Sequence, residues 1–359
     1  MNKFKVITAI AFSAILVYAC SKSDSGSGDK TDSGDAFKKQ MLINYADTLI
    51  LPAYVDLQSK IALFEETANA FLNAPSVITR ETLKTPYKNA YISFQGISAL
   101  YFGPAAALQL NNTINTFPSA SAKIEAAIQT GSYDFTQVIA ADSIQGFPAL
   151  DYLLFSPDAV QQFNGANAEK RKKYVKDIVT RMKTLISATI AQWNGGFRES
   201  FVSSMQTNVG SSIGSLVNQF AFEMDALKGP RIGWPFGKQS NGIVFADKCE
   251  GYFSGISRDL AIANLTSLKK YFSGGQGTGI ADYLVLLNKS QLNNDVITQF
   301  DIAIGALQVI PDPMSAAFTG NAPAIENAYR EVQKLLTLIK TDVASATAVQ
   351  ITYMDNDGD

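Results

Sequence analysis

The segment Asp142–Phe155, with the sequence DSIQGFPALDYLLF, contains the features that decide the fold. It begins as a polar turn, passes Gly146 and continues as an apolar run that includes a single carboxylate, Asp151. Pro148 predicts a helix start, because the N–H group that proline lacks has no partner in the first helical turn. Gly146 can supply the unusual backbone angle just before that helix, and Asp151 falls inside or just past the first turn, where the helix dipole favours negative charge.

This segment resembles the signature of the imelysin-like family, which comprises bacterial envelope proteins linked to iron uptake and also classed as metallopeptidases. The family pattern is Gly-x-His-x-x-Glu followed by an apolar run. Gly146 and the run Tyr152–Phe155 match it, whereas Pro148 stands at the histidine position and Asp151 at the glutamate position. A histidine and a carboxylate three residues apart share one helix face and could hold a metal together. Proline cannot, so the resemblance implies the fold of the family more strongly than its chemistry.

The composition excludes several classes of function. The chain has 359 residues, of which 47% are hydrophobic and 17% charged, as in an ordinary globular protein. Its net charge of −2 argues against a nucleic-acid partner. Histidine is absent from the sequence, which excludes histidine-dependent triads, histidine general bases and histidine-ligated zinc sites. Two cysteines, Cys20 and Cys249, provide no disulfide framework.

The N-terminal region has the features of a lipoprotein precursor. Residues 1–19 read as a secretory signal, with two lysines ahead of an apolar segment too short to span a bilayer. The sequence LVYAC, which ends at Cys20, resembles a lipobox and implies lipidation of that cysteine; an ordinary signal peptide cleaved nearby is the alternative. The polar residues that follow predict a disordered tether over 20–35. We therefore expect a protein of the cell envelope, held at the membrane, and at the outer membrane in particular, by its lipid anchor.

Beyond the tether, apolar residues recur at spacings of three and four, which predicts amphipathic helices. The helices predicted from residue 169 onward are 169–193, 211–227, 248–272, 280–309 and 322–346. Runs of alternating strand residues do not occur. We predict an all-α fold of two tandem helical bundles, each of roughly four helices, with a weak internal repeat. The bundles are predicted at 36–195 and 196–359, and together they form one imelysin-like domain.

The candidate site lies between the predicted bundles. Sites in helical bundles form between facing helices, and the resemblance implies a site near the junction of the two halves. The side chains that we expect to line it are Asp151, Glu223, Arg231 and Glu250. Asp151 has an alternative role as an acid that stabilises its own helix start. Arg231 lies in a predicted glycine- and proline-rich loop at 229–237, which is either part of the site or a packed interdomain turn.

Three classes of function are compatible with these features. The first is a non-enzymatic binding component of the envelope, linked to iron or metal uptake and to envelope transport or uptake proteins as partners. Without histidine, a metal site would be built of oxygen ligands, which suits Fe³⁺ or Ca²⁺, with Asp151 as a ligand. The second is a structural or protein-interaction scaffold that has lost the metal site. The third is a metallopeptidase, which usually requires an open metal position and histidine ligands. No catalytic residue is assigned.

Overall fold

The computed structural model describes residues 28–137 and 141–353. The predicted signal peptide, Cys20 and the first part of the predicted tether lie outside these residues. By their contacts, the described residues up to Lys38 belong to one unit and those from Lys39 belong to a second, larger unit. All the packing and the candidate site discussed below lie within this second unit.

The regular structure of the described residues is helical and contains no strand, which confirms the predicted all-α class. The helices that are labelled are α1 (Gly28–Asn44), α2 (Leu51–Asn73), α3 (Val77–Gln95), α4 (Ser121–Thr130), α5 (Gly146–Phe155), α6 (Ala168–Gln192), α7 (Ser212–Ala226), α8 (Ser257–Ser273), α9 (Ile280–Leu286), α10 (Ser290–Gln308) and α11 (Ala322–Thr337). Short α-helical pieces are Pro104–Ala107, Leu110–Ile114, Ala159–Gln162, Arg198–Ser203, Trp234–Phe236, Met314–Gly320 and Ala344–Ala346. The π-helical segments are Tyr45–Ile50, Trp193–Phe197, Leu227–Gly233 and Leu338–Val343, and the 3-10 segments are Ser98–Leu100, Asp142–Ile144 and Ala246–Lys248.

The helices of the second unit pack in two groups. In the first helix group, α2 packs against α3 and α6, and α5 packs against α3 and α6. In the second helix group, α10 packs against α8 and α11, and α7 packs against α11. Helices α3 and α8 also pack against each other and so connect the two groups.

Aromatic residues at helical spacing build the core of the first helix group. Tyr87, Tyr91 and Phe94 of α3 are all buried, as their spacing predicts for one face of an amphipathic helix. The Tyr91 ring stacks on the Phe147 ring of α5, with the ring centroids 4.4 Å apart and the planes 9° from parallel. This contact fixes α5, and with it the segment that resembles the family signature, against α3.

The domain boundaries stay a prediction. The predicted boundary between residues 195 and 196 falls at a kink in the π-helical segment after α6, where Gly195 and Gly196 leave helical backbone angles. In the described part of the chain no helix is long and apolar enough to cross a membrane.

The start of α8 differs from its prediction. The helix predicted from residue 248 begins at Ser257, because residues 249–256 form turns in which Gly251 and Gly255 have φ values of +65° and +72°. These left-handed angles do not occur inside an α-helix. The helix predicted over 280–309 likewise divides into α9 and α10, since Asn288 between them adopts a φ of +59°.

Two segments predicted to be irregular are helical. The tether predicted over 20–35 overlaps α1, which begins at Gly28, so the prediction is corrected for that overlap. The loop predicted over 229–237 is π-helical over Leu227–Gly233 and α-helical over Trp234–Phe236. Pro230 lies inside this π-helical segment, where the N–H that it lacks removes one backbone hydrogen bond.

Candidate functional site

Gly146, at the start of α5, occupies a position that only glycine fits. Its φ is +75°, and a Cβ atom there would lie 2.2 Å from the carbonyl oxygen of Ile114 and 2.7 Å from that of Thr113. The missing side chain therefore allows the start of α5 to pack directly against the backbone of the helical turn Leu110–Ile114. Pro148 follows in the first turn of α5, where its missing N–H leaves no bond unmade.

Asp151 joins α5 to the turns that precede α8. Its carboxylate is 2% exposed, with Oδ2 accepting a hydrogen bond from the Phe253 N–H at 2.8 Å and Oδ1 accepting one from the Ser254 N–H at 3.1 Å. The Tyr87 hydroxyl lies 3.4 Å from Oδ1 and also donates to the Phe147 carbonyl. Asp151 lies beyond the first turn of α5, so its partners are these donors and not the N–H groups at its own helix start.

Burial controls the ionisation of Asp151. Desolvation raises the pKa of its carboxyl group to about 6, although the hydrogen bonds from Phe253 and Ser254 act in the opposite direction. Burial also raises the pKa of Tyr87, with the neighbouring Asp151 carboxylate as a second cause. Near neutral pH, therefore, Asp151 is an ionised carboxylate held inside the protein by N–H and O–H donors.

Glu223, Arg231 and Glu250, three of the residues predicted to line one site, form a buried ion triad. Arg231 Nη1 lies 2.7 Å from Glu223 Oε1, and Arg231 Nε lies 3.2 Å from Glu250 Oε2. Each side chain is at most 7% exposed. Burial alone lowers the pKa of Arg231, but the two carboxylates raise it above its ordinary value, so the guanidinium stays charged. The triad connects α7, the π-helical segment Leu227–Gly233 and the turn before α8.

Amide side chains from other elements surround the triad. Gln95 Nε2 and Asn115 Nδ2 donate to Glu250 Oε1 at 2.8 and 2.7 Å. Asn264 Nδ2 donates to Glu223 Oε1 at 2.7 Å and to Ser98 Oγ at 2.9 Å. Sequence reasoning missed these residues. Asn264 did leave a signal, because it lies on the inward face of α8 between the buried Leu260 and Leu268.

Two clefts open beside these residues. The motif cleft, of about 90 Å³, is lined by Pro148 and Asp151 together with residues of the 117–121 and 247–253 segments. The triad cleft, of about 200 Å³, is lined by Phe94, Ser98, Asn111, Asn112, Asn115, Thr116, Phe117, Phe222, Glu223, Ala226, Pro230 and Arg231. Asp151 thus faces one cleft, Glu223 and Arg231 of the triad face the other, and Phe117 lines both.

The residues of the site do not fit an oxygen-ligated cation. Both carboxylate oxygens of Asp151 accept backbone hydrogen bonds, and Pro148 has no ligand atom at the histidine position. Glu223 and Glu250 each form an ion pair with Arg231. Across residues 28–137 and 141–353, no group of three His, Cys, Asp or Glu side chains is arranged to hold a metal ion.

Comparison with known proteins places the chain in a family. The peptidase family model described as Imelysin matches residues 50–341, which is most of the chain. The chain belongs to the imelysin family. Two crystal structures of 18% sequence identity share the imelysin-like fold. A protein of Parabacteroides distasonis ATCC 8503, named as an iron-regulated protein A precursor, has a TM-score of 0.72, with 87% of this chain and 95% of that chain covered. An imelysin-like protein of Psychrobacter arcticum 273-4 has a TM-score of 0.70, with 89% and 98% covered. No curated protein matches the chain.

Proposed function

We propose that this imelysin-family protein is a non-enzymatic binding component of the bacterial envelope that takes part in iron uptake. The observation that carries the proposal is the triad cleft, a concave site with two members of the buried triad, Glu223 and Arg231, in its wall. A few convergent polar groups in a largely preformed cleft are typical of ligand-binding sites. Membership of the imelysin family and the likeness to a protein named as iron-regulated support the link to iron.

Iron uptake by intact cells tests this proposal. The gene is deleted in its natural host, and accumulation of radioactive iron is measured under iron limitation after complementation with wild type, Glu223→Gln or Glu199→Gln. Glu199 is an exposed carboxylate outside the triad cleft and serves as the matched control. We expect the deletion to lower uptake, and wild type and Glu199→Gln to restore it, whereas Glu223→Gln does not. Equal uptake with and without the gene would contradict the proposal.

We also propose that the protein is anchored by a lipid on Cys20, facing its partners among the envelope transport proteins. The lipobox-like sequence before Cys20 and the polar residues after it support this location. Mass spectrometry of the mature N-terminus, isolated from membranes, should identify a diacylglyceryl-modified Cys20. A mature N-terminus at another residue, without a lipid, would rule out the anchor.

A structural scaffold is the second candidate function, and the environment of Asp151 favours it. In this chain the carboxylate at the family's glutamate position binds backbone N–H groups of Phe253 and Ser254 and so serves the fold. The uptake experiment separates the two candidates. For a scaffold that uses no ligand, the Glu223→Gln protein restores uptake as fully as the Glu199→Gln protein does.

A further inference from the structure

The triad cleft presents a hydrogen-bond acceptor beside a donor. Among the described residues, the hydrogen bonds to Glu223 use only its Oε1 atom. Arg231 Nη1 and Nε are buried against the carboxylates of Glu223 and Glu250, whereas its Nη2 makes no hydrogen bond among the described residues and is the donor left for a ligand. Glu223 and Arg231 both line the cleft. A ligand that donates one hydrogen bond and accepts another therefore complements Glu223 and Arg231.

The charge of the site selects against ions. Two carboxylates and one guanidinium give the triad a net charge of −1, which repels an anion. A cation would compete with Arg231 for carboxylates that are already hydrogen-bonded to Gln95 and Asn264. The remaining polar groups that line the cleft are uncharged, since they come from serine, threonine and asparagine. These groups suit a neutral ligand with several hydroxyl or carbonyl groups.

Aromatic rings form the apolar part of the cleft. Phe94, Phe117 and Phe222 line it together with the polar groups, and Phe222 is 38% exposed although it is large and apolar. Phenylalanine rings pack favourably against flat or C–H-rich faces of other rings. A ring-shaped ligand can therefore contact these walls while its substituents reach Glu223 and Arg231.

We propose that the triad cleft binds a neutral ring that carries two adjacent hydroxyl groups. One hydroxyl donates to Glu223 Oε2 and its neighbour accepts from the Arg231 guanidinium, while the ring packs against Phe222. An aromatic catechol ring and a saturated sugar ring both have this chemistry. The inference rests on the proposed function only in placing ligand binding at this cleft.

Calorimetric titration of the purified full chain tests the proposal with three probes. Catechol and methyl α-D-glucoside each have adjacent hydroxyls on a ring, and they distinguish the aromatic source from the sugar source. Resorcinol has the same atoms as catechol with its two hydroxyls further apart, and is the control ligand. We expect either catechol or methyl α-D-glucoside to bind. If catechol binds, resorcinol should bind at least about tenfold more weakly.

Variants locate the bound ring. Glu223→Gln should weaken binding by at least about tenfold, because it replaces a charged acceptor, and Phe222→Ala should weaken it by removing the exposed ring. Glu199→Gln, outside the cleft, should bind as wild type does. The Phe222 variant keeps the test decisive if circular dichroism shows that Glu223→Gln is misfolded. Absence of binding by both diols, equal binding of catechol and resorcinol, or unchanged binding by the Phe222 variant would overturn the proposal. The titration and the iron-uptake experiment can have different outcomes, because the protein could support iron uptake with a ligand of another class.

Discussion

At the residue scale, Asp151 is a buried carboxylate whose ionisation is coupled to folding. Its environment raises the pKa from 3.8 to about 6. Because the folded-state pKa lies above the unfolded value, the native protein holds more protons than the unfolded chain between about pH 4 and pH 6. The contribution of Asp151 to stability is therefore largest below this window and is lost as the pH rises through it.

The Asp151→Asn variant tests this coupling. Raising the pKa of this carboxyl group from 3.8 to about 6 corresponds to roughly 3 kcal/mol. Asparagine does not ionise, so we expect the free energy of unfolding of the variant, relative to wild type, to rise by up to about 3 kcal/mol between pH 4 and pH 7. Urea denaturation of both proteins at the two pH values measures this difference. A difference that is independent of pH would contradict the account, and a change of opposite sign would point to a cationic partner of Asp151.

Gly146 provides a second test at this scale. Gly146→Ala would place a Cβ 2.2 Å from a backbone oxygen at a φ of +75°. We expect it to lower the free energy of unfolding by more than about 2 kcal/mol, because strain and overpacking combine. The control is Gly305→Ala in the interior of α10, where a Cβ would meet no atom within 4 Å. This substitution should raise the free energy of unfolding by about 0.5–1 kcal/mol. Equal effects of the two substitutions in urea denaturation would contradict the packing described for Gly146.

At the scale of elements, the triad connects three parts of the chain through Arg231. Arg231→Ala leaves Glu223 and Glu250 buried without their counter-charge, and we expect a loss of about 3–5 kcal/mol in the free energy of unfolding. Arg198→Ala is the control, because it removes a surface ion pair with Asp47 and surface pairs contribute little. Urea denaturation measures both variants. Similar small losses in the two proteins would show that the triad does not hold these elements together.

Periodicity predicted the helices of the fold but not all of their ends. The apolar spacing identified α6 and α7 to within a residue or two, because one face of each helix is buried. It placed the start of α8 too early, since aromatic residues in the turns at 249–256 mimic helical spacing. The prolines and glycines of 229–237 suggested a loop, although a π-helix tolerates them when tertiary packing fixes the backbone.

The same limits explain how much of the site was predicted. The resemblance implied a site near the junction of the two halves, and three of the charged residues expected to line it, Glu223, Arg231 and Glu250, form one triad. The amides of Gln95 and Asn115 were missed, because uncharged polar residues occur on most helices. Their role depends on the contact of α3 and the 110–116 segment with the second helix group, which no local pattern encodes.

At the scale of the whole molecule, two groups of helices meet at a site in which every carboxylate named above accepts hydrogen bonds from groups of the protein. Asp151 binds backbone N–H groups, and Glu223 and Glu250 bind Arg231 and amides. None of these carboxylates is arranged as a ligand of a catalytic metal, and the sequence supplies no histidine to replace them. The proposal that this member of the imelysin family binds and does not cleave rests on this arrangement of its carboxylates.

A peptidase assay tests this central claim most directly. The purified full chain is incubated with fluorescently labelled casein in the presence of Zn²⁺, Ca²⁺ or Fe³⁺, the last chelated to stay soluble, with and without EDTA. A heat-denatured sample is the blank and Asp151→Asn is the matched variant. We expect cleavage by wild type to equal the blank under every condition. Metal-dependent cleavage that EDTA abolishes and that the Asp151 variant lacks would contradict the account.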